Sequence, residues 1–195
     1  AIRYASATVG GEYFDQTGRS LRAAFLRTPV AFRRISSRFG MRRHPILGTM
    51  RRHQGIDYAA SSGTPVRAIG DGVVLFAGRK GGYGNVLEIR HRNGFVSRYG
   101  HLRGFARSVR RGSRVTIAQT VAYVGSTGLS TAPHLHFEVL VNGVHRNPRV
   151  ALNQKGGDPI PKRERAEFDG QRAMLVASLD QAVHTPVDVA SVEAP

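Results

Sequence analysis

At 195 residues and 41% hydrophobic content the chain can bury one domain of ordinary size plus extensions, which excludes a disordered protein. It contains no cysteine, so disulfides and thiolate metal sites are excluded and any metal must be held by His, Asp or Glu. The net charge of +16 is nearly all arginine, lysine standing only at Lys80, Lys155 and Lys162, and such a surface attracts polyanions.

The opening residues "AIRYASATVGGEYFDQ" lack the basic start and long apolar core of a secretion signal, and no run approaches the roughly 18 apolar residues of a membrane span. A fragment or mature form is expected, with any signal or anchor absent from this chain. Residues 1–31 read as a short hairpin, "EYF-DQTG-RSL", and a bridging segment, the tail of an upstream domain and its linker. From Phe32 to about Val150, runs such as "TPVRAIGDGVVLFAG", "YGNVLEIRH", "GFVSRYGHL", "SRVTIAQTVAYVG" and "HLHFEVLVNGV" alternate with turn signals "GDG", "KGGYG", "RNG", "STG" and "VNG". Closely spaced turns between runs of Val, Ile, Leu, Tyr and Phe predict an all-β domain, an antiparallel sheet with tight connections, over 32–150. Residues 151–195 read as a linker, a helix over "RERAEFDGQRAMLVASLDQAV" with an apolar stripe through Phe168, Leu175 and Leu179, and a disordered tail.

Chemistry concentrates in "PHLHFEV", Pro133 to Val139. Its alternation has the period of a strand, which puts His134, His136 and Glu138 on one face and Leu135, Phe137 and Val139 on the other. Two imidazoles on one face could share a metal, or form nothing more than a solvated polar stripe. A hydrolytic zinc site takes three protein ligands, often two imidazoles and a carboxylate, and leaves the fourth position to water. "RHQGIDYAA" supplies a second His and a carboxylate, His53 and Asp57, four residues apart, so that an extended segment would turn both to one side. His101, in "SRYGHLRG", is a further imidazole able to handle the proton of a water or to stabilise an oxyanion. Parity alone leaves open which member of "HLH" is the ligand. A Gly-x-Ser-x-Gly elbow and a His-Glu-x-x-His helix are both absent.

Together, "RISSRFGMRRHPILG", "HQGIDYAA", "GTPVRAIGDGVV", "YGNVLEIRH", "YGHL" and "GSTGLSTAPHLHFEV" resemble, in order and spacing over Phe32 to Pro148, the lysostaphin-type or LytM-like zinc endopeptidases that cut peptide cross-links in bacterial cell walls. The preceding "YFDQTGRSLRAAFLRTPVAF" resembles the junction to an upstream domain in Gram-negative, envelope-anchored members. The resemblance implies that His53, Asp57 and His136 bind Zn2+, that His101 and His134 are the catalytic pair, and that the sheet is bent into an open groove with the metal in its floor. It implies a zinc-activated water hydrolysing peptidoglycan in the periplasm, the D-alanyl to diaminopimelyl bond being the expected target. Ala118, Ala122 and Ala132 stand where the family often has Gly, a departure that matters only at positive φ and so bears on loop geometry rather than on the ligands.

Around this set, Glu138 is read either as an acceptor orienting a ligand imidazole or as a surface carboxylate. Arg38, Arg42 and Arg43 are read either as groove-lining partners for stem-peptide carboxylates or as a solvated arginine face, His44 as structural or groove-lining, and His91, His145 and His184 as surface or loop residues. The arginine surface suits an anionic envelope polymer or a membrane, whereas no nucleic-acid-binding motif accompanies it, so nucleic acid is not expected. Competing readings are a non-catalytic activator of wall amidases, which would have lost ligands, and a His-based phosphocarrier or lipoyl-like carrier, which has no use for Asp57. Oligomeric state is not legible.

Overall fold

The computed structural model describes residues 1–6, 9–21, 25–43, 49–153 and 159–184. Two compact units emerge, one formed by residues 25–154 and the other by residues 1–24 together with 155–195. The smaller unit pairs β1 (Ile2–Tyr4) with β2 (Glu12–Phe14) antiparallel, and Phe14 bridges to Ser20 across the expected turn. Its core is aromatic: Phe168 of the helix Arg165–His184 packs edge-on against Tyr4 and Phe14 at 5.6 and 5.8 Å. The expected stripe along that helix is corrected here, because only Phe168 is buried while Leu175 and Leu179 are exposed. Near its start the helix docks through the Phe168 ring and through Arg165 and Arg172, which donate to the Thr17 and Gln16 carbonyls; Met174, Leu175, Val176 and Leu179 are exposed. The expected disordered tail, and His44, lie outside the described residues. No described helix is long and apolar enough to cross a membrane.

The larger unit is built on β3 (Arg34–Ser37), β4 (Gly40–Arg43), β5 (Met50–His53), β6 (Ile56–Ala59), β7 (Pro65–Arg67), β8 (Gly72–Arg79), β9 (Asn85–Arg90), β10 (Phe95–Phe105), β11 (Arg114–Val115), β12 (Thr120–Val124), β13 (His134–Val141) and β14 (Val144–Arg146). Ten of these form one sheet with the order β11-β8-β9-β10-β13-β6-β3, to which β12, β7 and β14 attach, while β4 and β5 make a separate two-stranded sheet. Every pairing is antiparallel, as the all-β reading expects. Alternation fixes the faces: Leu135, Phe137 and Val139 are fully buried and join Tyr58, Tyr99, Leu87, Ile89 and Val121 in one core. Burying each such side chain is worth roughly 1.5–3 kcal/mol, which locks the register, because a one-residue slip of β13 would exchange these residues with His134, His136 and Glu138.

The unit's two ends are adjacent. Leu26 N–H donates to the Ile69 carbonyl and Val30 bridges to Val66, and Leu152 is buried in the same core after a short helix Pro148–Ala151. Arg27, Thr28, Leu152 and Asn153 line one small cavity with Phe32 and Tyr58.

Candidate metal centre

Register brings two of the ligand candidates together. In the β13–β6 pairing His136 stands directly opposite Asp57, so the fold closes a gap of 79 residues to a 2.7 Å contact between His136 Nδ1 and Asp57 Oδ1. His53 arrives differently from the extended segment expected. It ends β5, residues 54 and 55 break the strand, and β6 starts at Ile56 in another sheet. The break must be tight, and Gly55 permits it: a Cβ there would lie 2.5 Å from the Phe137 carbonyl oxygen and 2.9 Å from His136 Cε1. Its place in the motif is one of space.

The three atoms form a nearly equilateral triangle, with His53 Nε2 3.1 Å from His136 Nδ1 and 3.2 Å from Asp57 Oδ1. Tetrahedral ligands at about 2.0–2.1 Å from a zinc ion would be about 3.3 Å apart, so the donors fit such an ion with adjustments of a few tenths of an ångström. Each residue is under 9% exposed, and the trio is a group of described residues able to hold a metal.

Every imidazole around the site has one nitrogen pinned by an acceptor. His53 Nδ1–H donates to the Arg38 carbonyl at 2.8 Å, His101 Nδ1–H to the Thr127 carbonyl at 2.8 Å, and His134 Nδ1–H to the Ala132 carbonyl at 2.8 Å. His136 Nε2–H donates to Glu138 Oε1 at 2.9 Å. A carbonyl oxygen can only accept, so the bonds of His53, His101 and His134 put the proton on Nδ1 and turn Nε2 to the site, while His136, held by Glu138 through Nε2, turns Nδ1 to Asp57. Glu138 is therefore the orienting acceptor rather than a surface carboxylate: it is 1% exposed, and Tyr83 OH and Arg98 Nη1 donate to it at 2.8 and 2.7 Å. Neither Tyr83 nor Arg98 is singled out by the sequence, because strand pairing alone puts Arg98 opposite Glu138. Burial raises the Glu138 pKa, but His136, Tyr83 and Arg98 outweigh it and hold the group ionised.

His101 sits in a distortion. The pairing of β10 with β9 shifts register across it, between Tyr99 and Leu102, the pairing with β12 shifts just beyond, between Leu102 and Gly104, and its φ is +58°. A left-handed non-glycine residue costs about 1–3 kcal/mol, and a bulge is a usual way to re-aim a side chain beside a site. The loosened Leu102 carbonyl is satisfied by Thr127 Oγ1 at 2.8 Å and Asn85 Nδ2 at 3.1 Å. The result is a His101 ring 4.7 Å from that of His134 and 5.7 Å from that of His136, while His134 Nε2 is 3.8 Å from Asp57 Oδ1.

Burial pulls the His101 pKa down to about 4, so the ring is uncharged at neutral pH. Burial also opposes charge on His136, yet its bonds to Asp57 and Glu138 win and raise its pKa to about 9. For Asp57 the balance runs likewise: burial favours the neutral acid, and His136 and His53 outweigh it and hold the carboxyl far below the usual range. In the metal-free chain a proton therefore occupies the edge between Asp57 and His136 that a cation would take over.

A cavity of about 640 Å³ opens over these residues, bounded by Tyr83, by the 129–133 loop and by Arg34, Arg42, Arg51 and Arg52. Of the expected groove arginines Arg42 is on this wall, its Nη2 3.3 Å from Asp57 Oδ2, and Arg38 contributes its carbonyl to His53 instead; the Arg43 side chain lies outside the described residues. His91 is corrected from a surface residue to a buried one, bonded through Nδ1 to the Asp71 carbonyl and through Nε2 to Ser97 Oγ. His145, half-buried on β14, is 3.4 Å from Glu138 Oε2 rather than in a loop. Of the three alanines in usual glycine positions, Ala118 alone has a positive φ, +66°, and it lies in the turn before β12, not beside the ligands.

Comparison with known proteins agrees with this geometry. The model of peptidase family M23 matches residues 51–148, which include all five of the site residues named above. The chain is 49% identical over 141 residues to the peptidoglycan DD-endopeptidase ShyC of Vibrio cholerae, covering 72% of this chain and 32% of that protein, so it spans about a third of the length of this curated relative. Among solved structures it is similar to a zinc-containing peptidase from Vibrio cholerae, with 37% identity, a TM-score of 0.61, and 71% of this chain and 45% of that one covered. It is also similar to the catalytic domain of the antimicrobial peptidase lysostaphin from Staphylococcus simulans, with 33% identity, a TM-score of 0.55, and 62% of this chain and 92% of that one covered.

Proposed function

The chain belongs to peptidase family M23, and from that premise we propose that it is a zinc-dependent peptidoglycan DD-endopeptidase of the bacterial envelope, acting in the periplasm on peptide cross-links. The D-alanyl to diaminopimelyl bond is the proposed target. The metalloendopeptidase domain is assigned to residues 32–150, with 1–31 and 151–195 as flanking segments. The observation that carries the reading is the triangle of His53 Nε2, Asp57 Oδ1 and His136 Nδ1, whose edges of 2.7–3.2 Å suit a tetrahedral cation. Two imidazoles and one carboxylate make a donor set typical of hydrolytic zinc.

When bound, zinc supplies Lewis acidity, polarising the scissile carbonyl and lowering the pKa of water toward about 7. The protein does the rest. Glu138 orients His136, and Arg38 orients His53, so that neither ligand has to reorganise to bind. His101, kept uncharged by burial with its Nδ1 pinned, offers Nε2 as acceptor for the proton of the attacking water. His134, at the rim and similarly pinned, faces the developing oxyanion and the leaving amine. The intact ligand triangle argues against a silent amidase activator, and the contact of Asp57 with both His53 and His136 argues against a carrier domain.

Digestion of purified diaminopimelate-type sacculi, with products identified by mass, tests the reading. Cross-linked dimers should become monomers with the wild-type protein and remain intact with His136→Ala or with chelator. A purified protein that binds no zinc overturns the enzyme reading.

A further inference from the structure

The cavity wall carries more positive charge than its own carboxylates balance. Asp57 and Glu138 are the acidic residues lining it among the described residues, and both are committed, Asp57 to His53, His136 and Arg42, Glu138 to His136, Tyr83 and Arg98. Four arginines, Arg34, Arg42, Arg51 and Arg52, line the same space. Arg42 and Arg51 are direct cross-strand partners in the β4–β5 register, an arrangement that destabilises an antiparallel pair when the charges are alike. Arg42 relieves its side of that repulsion at Asp57, and Arg52 lies over the Phe39 ring at 5.5 Å. Arg51 is exposed and has no carboxylate partner among the described residues. It precedes His53 by two positions on β5, so the two side chains share a face about 7 Å apart.

We propose that Arg51 is a specificity residue that binds a free carboxylate on the carbon attached to the scissile amide nitrogen of the substrate. The proposal rests on the endopeptidase reading and narrows it. In a D-alanyl to diaminopimelyl cross-link that carbon bears a free carboxylate, whereas within a glycyl bridge it bears two hydrogens and the carbonyl of the next peptide bond, which has no charge. An anion seated there would neutralise the unpaired member of the Arg42–Arg51 couple, and a guanidinium can hold a carboxylate through two parallel hydrogen bonds. Substrates with a carboxamide or a glycyl residue at this position leave the repulsion in place.

The test uses two synthetic cross-linked peptides, identical except that this group is a carboxylate in one and a carboxamide in the other. Steady-state hydrolysis is measured with the zinc-loaded wild-type chain, Arg51→Gln and Arg51→Lys, and calorimetric affinity with the same proteins after chelation. Wild type should favour the acid about 10-fold or more, chiefly in KM and in affinity. Arg51→Gln should bring the ratio to within about twofold, and Arg51→Lys should keep part of it, because a point charge without the planar fork remains. Wild type cutting both peptides equally, or Arg51→Gln keeping the full preference, overturns the proposal and leaves the endopeptidase reading standing. If neither peptide is cut the endopeptidase reading fails at this bond, and equal affinities of the chelated protein for acid and amide would then overturn the role of Arg51 as well.

Discussion

Two histidine-centred clusters occupy the same β unit and are bonded in opposite ways. Around His91, Nδ1 donates to the Asp71 carbonyl, Nε2 bonds to Ser97 Oγ, and a hydrogen bond between Ser97 Oγ and Tyr99 OH continues to the Ile69 N–H. His91, Ser97, Tyr99 and Ile69 are buried, and the chain of bonds runs from backbone to backbone. Around His53, His101, His134 and His136 each ring is fastened to an acceptor by one nitrogen and holds the other toward a common space. A Ser–His–Tyr set is thus a structural brace where both imidazole nitrogens are consumed, and histidines become chemical only where half their bonding capacity is left unspent.

That contrast can be broken most forcefully at His101. His101→Ala should retain the metal, measured by elemental analysis, and lose about 10²–10⁴-fold in kcat, the usual weight of a positioned acid or base; loss of metal would make it a structural residue like His91. A second test removes the cation. A histidine whose folded pKa is raised above its unfolded value contributes stability that is complete below the unfolded pKa and disappears as pH rises through the folded one. For His136, raised to about 9 by Asp57 and Glu138 against the effect of burial, the chelated protein should lose up to about 3 kcal/mol between pH 6.5 and 9. The zinc-loaded protein should show no such slope, because the metal replaces that proton; parallel melting curves would refute this. The smallest effect belongs to the brace. His91→Ala strands Ser97 and Tyr99 in the core and should cost about 1–3 kcal/mol in thermal or denaturant unfolding, with metal content and kcat unchanged.

The sequence was most legible where function depends on short spacings and strand parity. "HLHFEV" reveals its two faces directly, and burial of Leu135, Phe137 and Val139 bears this out. The His53–Asp57 pair is visible as a spacing, but its convergence depends on a strand break at Gly55 whose need for a hydrogen side chain comes from Phe137 and His136, about 80 residues away. His101 is legible as a histidine and illegible as a bulge with positive φ, since the shifts belong to pairings with two other strands. His91 was misjudged because its partners Asp71 and Ser97 reach it through neighbouring strands and turns. The helix stripe misled for the opposite reason: periodicity marks which residues could share a face, and only Phe168 meets aromatic partners, Tyr4 and Phe14. Arg51 was hidden among many arginines, and only cross-strand register isolates it from the rest.

The adjacency of the larger unit's two ends carries a consequence for heredity rather than for chemistry. Residues 27–28 and 152–153 line one cavity, so the chain enters and leaves this unit at one spot, while the residues on either side of it in sequence belong to a single other unit. A unit threaded in this way is topologically a long loop of its host, and insertions with neighbouring ends are the kind that recombination can transfer intact. The larger unit thus meets the geometric condition for passing between host chains in one piece, since a host has to supply only two neighbouring attachment points.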